Sequence, residues 1–219
     1  MLEELMGENH VDTAMAYNAL AISSPYASVE RIIYAKKALK IFEKILGENH
    51  RWSVLSCGNL SMFYWDAGLK EEGLRYGEKA LKMQESLPEH MYAERAQGYN
   101  NLGKMYSESG DSEKGISCVE KAREIWEDSG VVGYNLGNIY STLSFAYWRA
   151  DKKQKAVQYM RKSWEVFVKC TGNDSEDSKF AEEQLVYMEE QLAIAEMQHK
   201  HQKEVILNSL LEQIKKCVV

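Results

Sequence analysis

The fold is decided by Asn100-Asn-Leu-Gly-Lys-Met-Tyr106, which is followed by Ser109-Gly-Asp111 and then by Glu120-Lys-Ala-Arg-Glu-Ile125. Apolar residues recur at spacings of three and four on both sides of Gly110, a pattern that predicts two helices with one buried stripe each. Glycine is preferred just beyond a helix C-terminus, because it adopts positive φ without strain. Asp111 can then begin the next helix. The stretch therefore predicts a helical hairpin.

The hairpin recurs along the chain at a regular interval. A glycine stands 13 residues before a leucine in four places, namely Gly7/Leu20, Gly47/Leu60, Gly130/Leu143 and Gly172/Leu185. In a fifth place Glu89 takes the glycine's position before Leu102. The starting positions 7, 47, 89, 130 and 172 differ by 40, 42, 41 and 42. Such a period is typical of stacked repeats, in which each unit buries its apolar face against its neighbours.

These residues resemble the tetratricopeptide repeat, whose signature the stretch from Asn100 to Ile125 matches almost in full. The long unit and its link, Leu46-Gly-Glu-Asn-His50, are similar to the repeats of kinesin light chain. The resemblance extends over about residues 1–190. It implies a right-handed superhelix with a concave groove that holds a protein partner.

We therefore predict an all-α fold, an α-solenoid of antiparallel helix hairpins that forms a single domain over residues 1–219. The predicted parts are a remnant of a preceding helix at 1–6, units at 7–46, 47–88, 89–129 and 130–171, and a degenerate fifth unit with a C-terminal cap at 172–219. Pro25 should end the first helix of unit one early. Residues 177–217 indicate either one long helix or two packed helices. That segment is either a solvating cap or a dimerisation or partner-binding helix.

The resemblance also implies which side chains line the groove, since the first helix of each hairpin faces it in this family. The predicted peptide-binding residues are Asn59, Met62, Trp65, Gln97, Asn100, Asn101, Lys104, Asn138, Phe145, Trp148 and Arg149. Asparagine offers both a donor and an acceptor to an extended peptide backbone. Trp65 and Trp148 share one repeat position and are predicted to face a common cleft as apolar anchors, the alternative being that they pack against a neighbouring helix.

The same positions disfavour one known ligand class. Chaperone-binding members hold an acidic C-terminal tail with five groove residues, Lys, Asn, Asn, Lys and Arg. The corresponding positions here are Gly58, Met62, Asn101, Asn138 and Thr142, and only Asn101 fits. Binding of a chaperone's acidic tail is therefore not expected.

Composition and motifs narrow the function further. The net charge of −6 gives no support for nucleic-acid binding. The sequence has neither a signal peptide nor an apolar run long enough to span a bilayer, so we predict a cytoplasmic protein away from membranes. The cysteines (Cys57, Cys118, Cys170 and Cys217) form no CxxC pair and are interpreted as reduced. His10, His50 and His90 occupy the links between units and are interpreted as helix-entry residues rather than a metal or acid–base site.

No hydrolase, nucleotide-binding or metalloprotease motif occurs in the sequence. We therefore predict no enzyme activity, no cofactor and no metal. The leading functional hypothesis is a scaffold that binds a peptide or helix of a partner protein. The alternatives are a regulatory or sensor part of a larger signalling protein or enzyme, and a scaffold that self-associates, with a homodimer formed through the C-terminal helix.

Overall fold

The structure, a computed structural model, describes residues 7, 9–86, 88 and 91–217, without the side chains of residues 209, 211, 212 and 214–217. Over these ranges it contains nine helices and no strand. The helices are α1 (Val11–Ser23), α2 (Val29–Leu46), α3 (Arg51–Asp66), α4 (Lys70–Gln84), α5 (Tyr92–Glu108), α6 (Ser112–Asp128), α7 (Tyr134–Arg149), α8 (Lys153–Thr171) and α9 (Glu176–Cys217). The predicted helix remnant at 1–6, Glu89 and His90 lie outside the described residues.

Successive helices pair as α1/α2, α3/α4, α5/α6 and α7/α8, and α9 packs on α8. The all-α repeat fold predicted from the sequence is confirmed. The turns inside the hairpins carry positive φ angles, at Gly68 (79°), Gly110 (99°), Asp151 (57°) and Ala27 (57°). The two predicted helix stops at Gly68 and Gly110 therefore have the expected left-handed conformation. Helix α1 ends at Ser23, just before Pro25.

Two of the links between hairpins, at Gly47 and Gly172, share one geometry. Gly47 and Gly172 have φ of 91° and 84° with ψ of 160° and 166°, a region that only glycine occupies readily. The carbonyl oxygens of these two glycines accept hydrogen bonds from the hydroxyls of Ser53 (2.7 Å) and Ser178 (2.8 Å). At the start of α3, His50 Nδ1 accepts a hydrogen bond from the backbone N–H of Trp52, which confirms its helix-entry role.

His10 has the same role at the start of α1, where its Nδ1 accepts from the backbone N–H of Asp12 at 3.2 Å. His10 and His50 hold matching positions in successive units, and both serve the helix boundary there. Nδ1 of each ring is therefore engaged in capping a helix.

The core runs between consecutive hairpins. Each of the first helices α3, α5, α7 and α9 presents three residues, spaced i, i+4 and i+7, to the hairpin before it. These residues are Ser56, Leu60 and Phe63 in α3; Gly98, Leu102 and Met105 in α5; Ile139, Leu143 and Ala146 in α7; and Ala181, Leu185 and Met188 in α9. We call them the backward stripes. Each central leucine is at most 6% exposed, so the stripes bury apolar surface between the units.

Polar contacts accompany this core at one repeat position. A side chain of the second helix of a hairpin contacts a side chain on the first helix of the next hairpin. The pairs are Lys36 with Tyr64, Glu78 with Tyr106, Glu120 with Tyr147, and Arg161 with Glu189. We call these pairs the inter-unit contact series. The sequence analysis did not identify the series, because its chemistry changes from one unit to the next.

Helix α9 is continuous over 42 residues, which resolves the choice between one helix and two. Its first part takes the place of the first helix of a fifth hairpin, with Leu185 and Met188 buried in the core formed with α7 and α8. Ala193 stands where units two and three have their turn glycines, Gly68 and Gly110, and the helix continues through it. Leu192 is the last described residue of α9 that packs on that core, and the helix continues to Cys217.

Candidate peptide-binding groove

Two cavities lie along the first helices of the hairpins. The first has a volume of about 320 Å³ and lies between α3 and α5, where Asn59, Met62, Gln97 and Asn101 line it. The second, of about 480 Å³, lies between α5 and α7. Its lining contains the predicted site residues Gln97, Asn100, Asn101, Lys104, Asn138, Phe145 and Arg149. Gln97 and Asn101 line both cavities, so we treat the two as one groove.

Amide side chains connect consecutive first helices along this groove. Asn59 Nδ2 donates to Asn18 Oδ1 on α1 at 3.3 Å, and Asn101 Nδ2 donates to the sulfur of Met62 on α3 at 3.4 Å. Within α5, Gln97 Nε2 donates to Asn101 Oδ1 at 2.7 Å. Asn18, Asn59 and Asn101 therefore form a row of amides on the first three hairpins, and their remaining donors and acceptors are available to a ligand.

Buried acceptors without partners lie in the second cavity. Asn100 is 7% exposed and Ser107 is 5% exposed, and neither Asn100 Oδ1 nor Ser107 Oγ has a hydrogen-bond partner among the described residues. Both residues line the cavity. Ser107 Oγ lies against Gly115 of α6, where a Cβ would meet it at 2.0 Å, so Asn100 is the acceptor that concerns a ligand. A buried acceptor that is left unpaired costs about 1–3 kcal/mol, and a ligand that donates to Asn100 Oδ1 recovers that energy.

Charges in the second cavity are mostly cationic. Lys104 and Arg149 are exposed, and neither forms an ion pair with a described residue. The carboxylate of Glu108 accepts a hydrogen bond from the indole N–H of Trp65 at 2.9 Å. In the first cavity, Arg51 pairs with Glu94 across α3 and α5 at 2.9 Å. The groove therefore has free positive charge at its α5–α7 end, although the whole chain is acidic.

The structure does not bring Trp65 and Trp148 together in a shared cleft, and neither lines either cavity. Both side chains are half-buried and reach the following unit. Trp65 bonds Glu108 on α5, and the ring of Trp148 lies 6.3 Å from that of Tyr187 on α9. The geometry therefore favours the alternative of packing between units, and a role of the tryptophans in peptide binding stays a prediction.

The groove contains residues that the sequence analysis missed. Phe180 of α9 lines the second cavity, with its ring 6.4 Å from that of Phe145. Its repeat position is that of Gln97 and Asn138, so extending the frame into the fifth unit would have identified it. Gln84 lines the first cavity from α4, and its amide packs on Gly98, where a Cβ would meet Gln84 Oε1 at 2.1 Å. No repeat position marks that contact.

Other chemistry finds little support in the described part of the chain. No group of three His, Cys, Asp or Glu side chains there is close enough to hold a metal ion. Burial raises the pKa of the Cys57 thiol to about 12, which keeps it protonated and unreactive. None of the described helices is both long and apolar enough to cross a membrane.

Comparison with known proteins supports the repeat fold. Two sequence models of the tetratricopeptide repeat match residues 54–87 and 94–167. No curated protein matches the chain. A solved structure of a Podosopora anserina putative kinesin light chain with nearly identical repeats has a TM-score of 0.63 at 16% identity, and the match covers 84% of each chain.

Two further solved structures are similar over most of this chain. Apo RapI has a TM-score of 0.66 at 21% identity, with 82% of this chain and 47% of that chain covered. A signal transduction ATPase of Pyrococcus horikoshii with a repeat sensor has a TM-score of 0.60 at 22% identity, with 72% of this chain and 24% of that chain covered. The chain thus spans about half of the first protein and a quarter of the second. At these identities the likeness concerns the fold alone.

Proposed function

The chain is a tetratricopeptide repeat protein, and we propose that it binds an extended peptide segment of a partner protein in the groove formed by α3, α5 and α7. Scaffolds of this family generally mediate protein–protein interactions. The observation that carries the proposal is the groove itself, in which Asn100, with a buried Oδ1 that has no partner among the described residues, lies beside the amides of Gln97 and Asn101. A peptide backbone that reaches this amide can supply the missing donor.

The amide groups of the groove also favour an extended segment over a helix. Backbone N–H groups of a helix are bonded within the helix, whereas an extended backbone offers them to its surroundings. The amide row formed by Asn59 and Asn101 adds further donors and acceptors along the same line. Because these groups bond a backbone, sequence preference has to come from Phe145, Lys104 and Arg149 nearby.

The test is a pull-down with the whole chain followed by mass spectrometry, carried out in parallel with a groove variant and a control. The groove variant is Asn101→Ala with Lys104→Ala. The control is Ser117→Ala on α6, which lines a cavity on another face, between α4, α5 and α6. We expect a partner to be captured by the wild type and the control and lost from the groove variant. A partner retained equally by all three would place binding elsewhere and contradict the proposal.

A second function is favoured by the exposed apolar residues of α9 beyond the core. Met197, Ile206, Leu207 and Leu210 are all more than half exposed. We propose that the chain also self-associates through this part of α9. Light scattering across a concentration series tests it, since the monomer has a mass of 25.2 kDa. The third hypothesis, a regulatory part of a larger protein, is tested by reading the coding sequence around this segment.

A further inference from the structure

One backward stripe differs from the four described above. The corresponding residues of α1 are Ala16, Leu20 and Ser23, with the same i, i+4 and i+7 spacing. Leu20 is 46% exposed, whereas its four counterparts, the central leucines of α3, α5, α7 and α9, are 0–6% exposed. Ser23 is likewise exposed. The face of hairpin one that matches a buried interface elsewhere is therefore open to solvent.

In the other hairpins this interface is filled by the second helix of the hairpin before. Leu60 lies in one core with Ile32 and Ala35 of α2, and Leu143 lies in one core with Ile116 and Val119 of α6. In these two interfaces the group that fills the space is an apolar pair spaced i and i+3 on a helix, whereas the same positions of α4 are Leu74 and Gly77. Val157 and Met160 of α8 form the third such pair, in the core that contains Leu185.

The last part of α9 carries the same pair without a partner among the described residues. The segment after Leu192 extends to Cys217, which is about 37 Å at roughly 1.5 Å per residue. We call it the arm. Leu207 and Leu210 of the arm are 57% and 51% exposed and are spaced i and i+3. Their chemistry matches the pairs that cover the buried stripes.

We infer that the arm of one copy docks on the open stripe of α1 in a second copy, as the second helix of a preceding hairpin would. This inference rests on the proposed self-association through α9. The docking would cover both the arm and the open stripe of α1, which are each exposed in a single molecule. Leu210 takes the place of Ala35 against Leu20, and Leu207 takes that of Ile32 near Ser23.

Helix direction and charge agree with this arrangement. A second helix runs antiparallel to the first helix that follows it, so the end of the arm would lie at the start of α1. The sequence has Lys215 and Lys216 at that end of the arm, and α1 begins with the exposed Asp12. The docked arm would therefore bring cationic sequence to an acidic helix N-terminus, which is a complementary pairing.

The experiment measures mass by light scattering across a concentration series for the wild type, Leu20→Glu, Leu210→Glu and an equimolar mixture of the two variants. Both leucines are exposed in the monomer, so the charges are compatible with folding, which circular dichroism checks. Met15→Glu is the matched control, because Met15 is also exposed on α1 but lies on another face. We expect each variant alone to weaken self-association at least about tenfold.

The mixture distinguishes docking of the arm on α1 from other modes of self-association. The Leu20→Glu copy keeps an intact arm and the Leu210→Glu copy keeps an intact stripe, so the mixture should form a heterodimer at concentrations where each variant alone is dissociated. A wild type that stays monomeric throughout would overturn the inference. If Leu20→Glu still associates like the wild type while Leu210→Glu does not, the arms pair with each other. In that case self-association stands and the docking on α1 is wrong. Variants that both dissociate without recovery in the mixture also overturn it.

Discussion

Asn100 provides the sharpest test of the groove, because its stability and binding effects should have opposite signs. Asn100→Leu replaces the buried amide with a side chain of similar size and removes the unpartnered Oδ1. Removing a desolvated acceptor of this kind recovers part of a penalty of about 1–3 kcal/mol. For a chain of 219 residues, a gain of about 1 kcal/mol raises Tm by roughly 2–4 °C.

The same change should weaken binding of the captured partner peptide, because its backbone loses a buried hydrogen bond. The loss of about 1–3 kcal/mol corresponds to roughly a 5- to 150-fold higher Kd. Chemical denaturation and titration calorimetry measure the two effects on the same preparation. Asn173→Leu is the control, since Asn173 is exposed in a link and should change neither quantity. A variant that is less stable and binds normally would show that Asn100 serves the fold alone.

Three further outcomes follow from the packing and electrostatics. Burial and then the hydrogen bond to Glu120 raise the pKa of Tyr147, so the unfolded chain ionises first and stability should fall as pH rises above about 10; Tyr147→Phe should reduce this fall in denaturation measured over that range. Leu60→Ala should cost about 2–5 kcal/mol, whereas Leu20→Ala should cost less than about 1 kcal/mol in the monomer, as measured by urea unfolding. Trp65→Ala should lower Tm while changing peptide affinity less than about tenfold. An unchanged Tm with lost affinity would show that the indole contacts the peptide.

The fold could be predicted from the sequence because the repeat has glycine where the backbone φ is positive and leucine where the core is buried. Gly47 and Gly172 are needed at links with positive φ, and Leu60 and Leu185, which follow them at one fixed spacing, are needed in the core. These features depend on local conformation and on spacing, both of which a single sequence records.

The direction of individual groove side chains could not be predicted in the same way. Trp65, Ser107 and Trp148 share one repeat position, yet the indole of Trp65 reaches Glu108 while Ser107 is buried without a partner among the described residues. A repeat position fixes which side of a helix a residue occupies. The neighbour in the next unit decides whether the side chain is consumed by packing or left for a ligand, and that neighbour varies from unit to unit.

The inter-unit contact series has a consequence for the way in which the array loses structure. Glu120 accepts hydrogen bonds from Tyr147 at 2.8 Å, from Tyr159 at 3.0 Å and from Arg123 at 2.7 Å, so α6, α7 and α8 share one network. Hairpins one and two lie outside this network and are joined by their own contacts, among them Arg31 with Asp66 at 3.2 Å. In an array stabilised by nearest-neighbour terms, helices that share a network open together. Amide hydrogens of α6, α7 and α8 should therefore exchange in one cooperative opening, separate from that of α1 and α2.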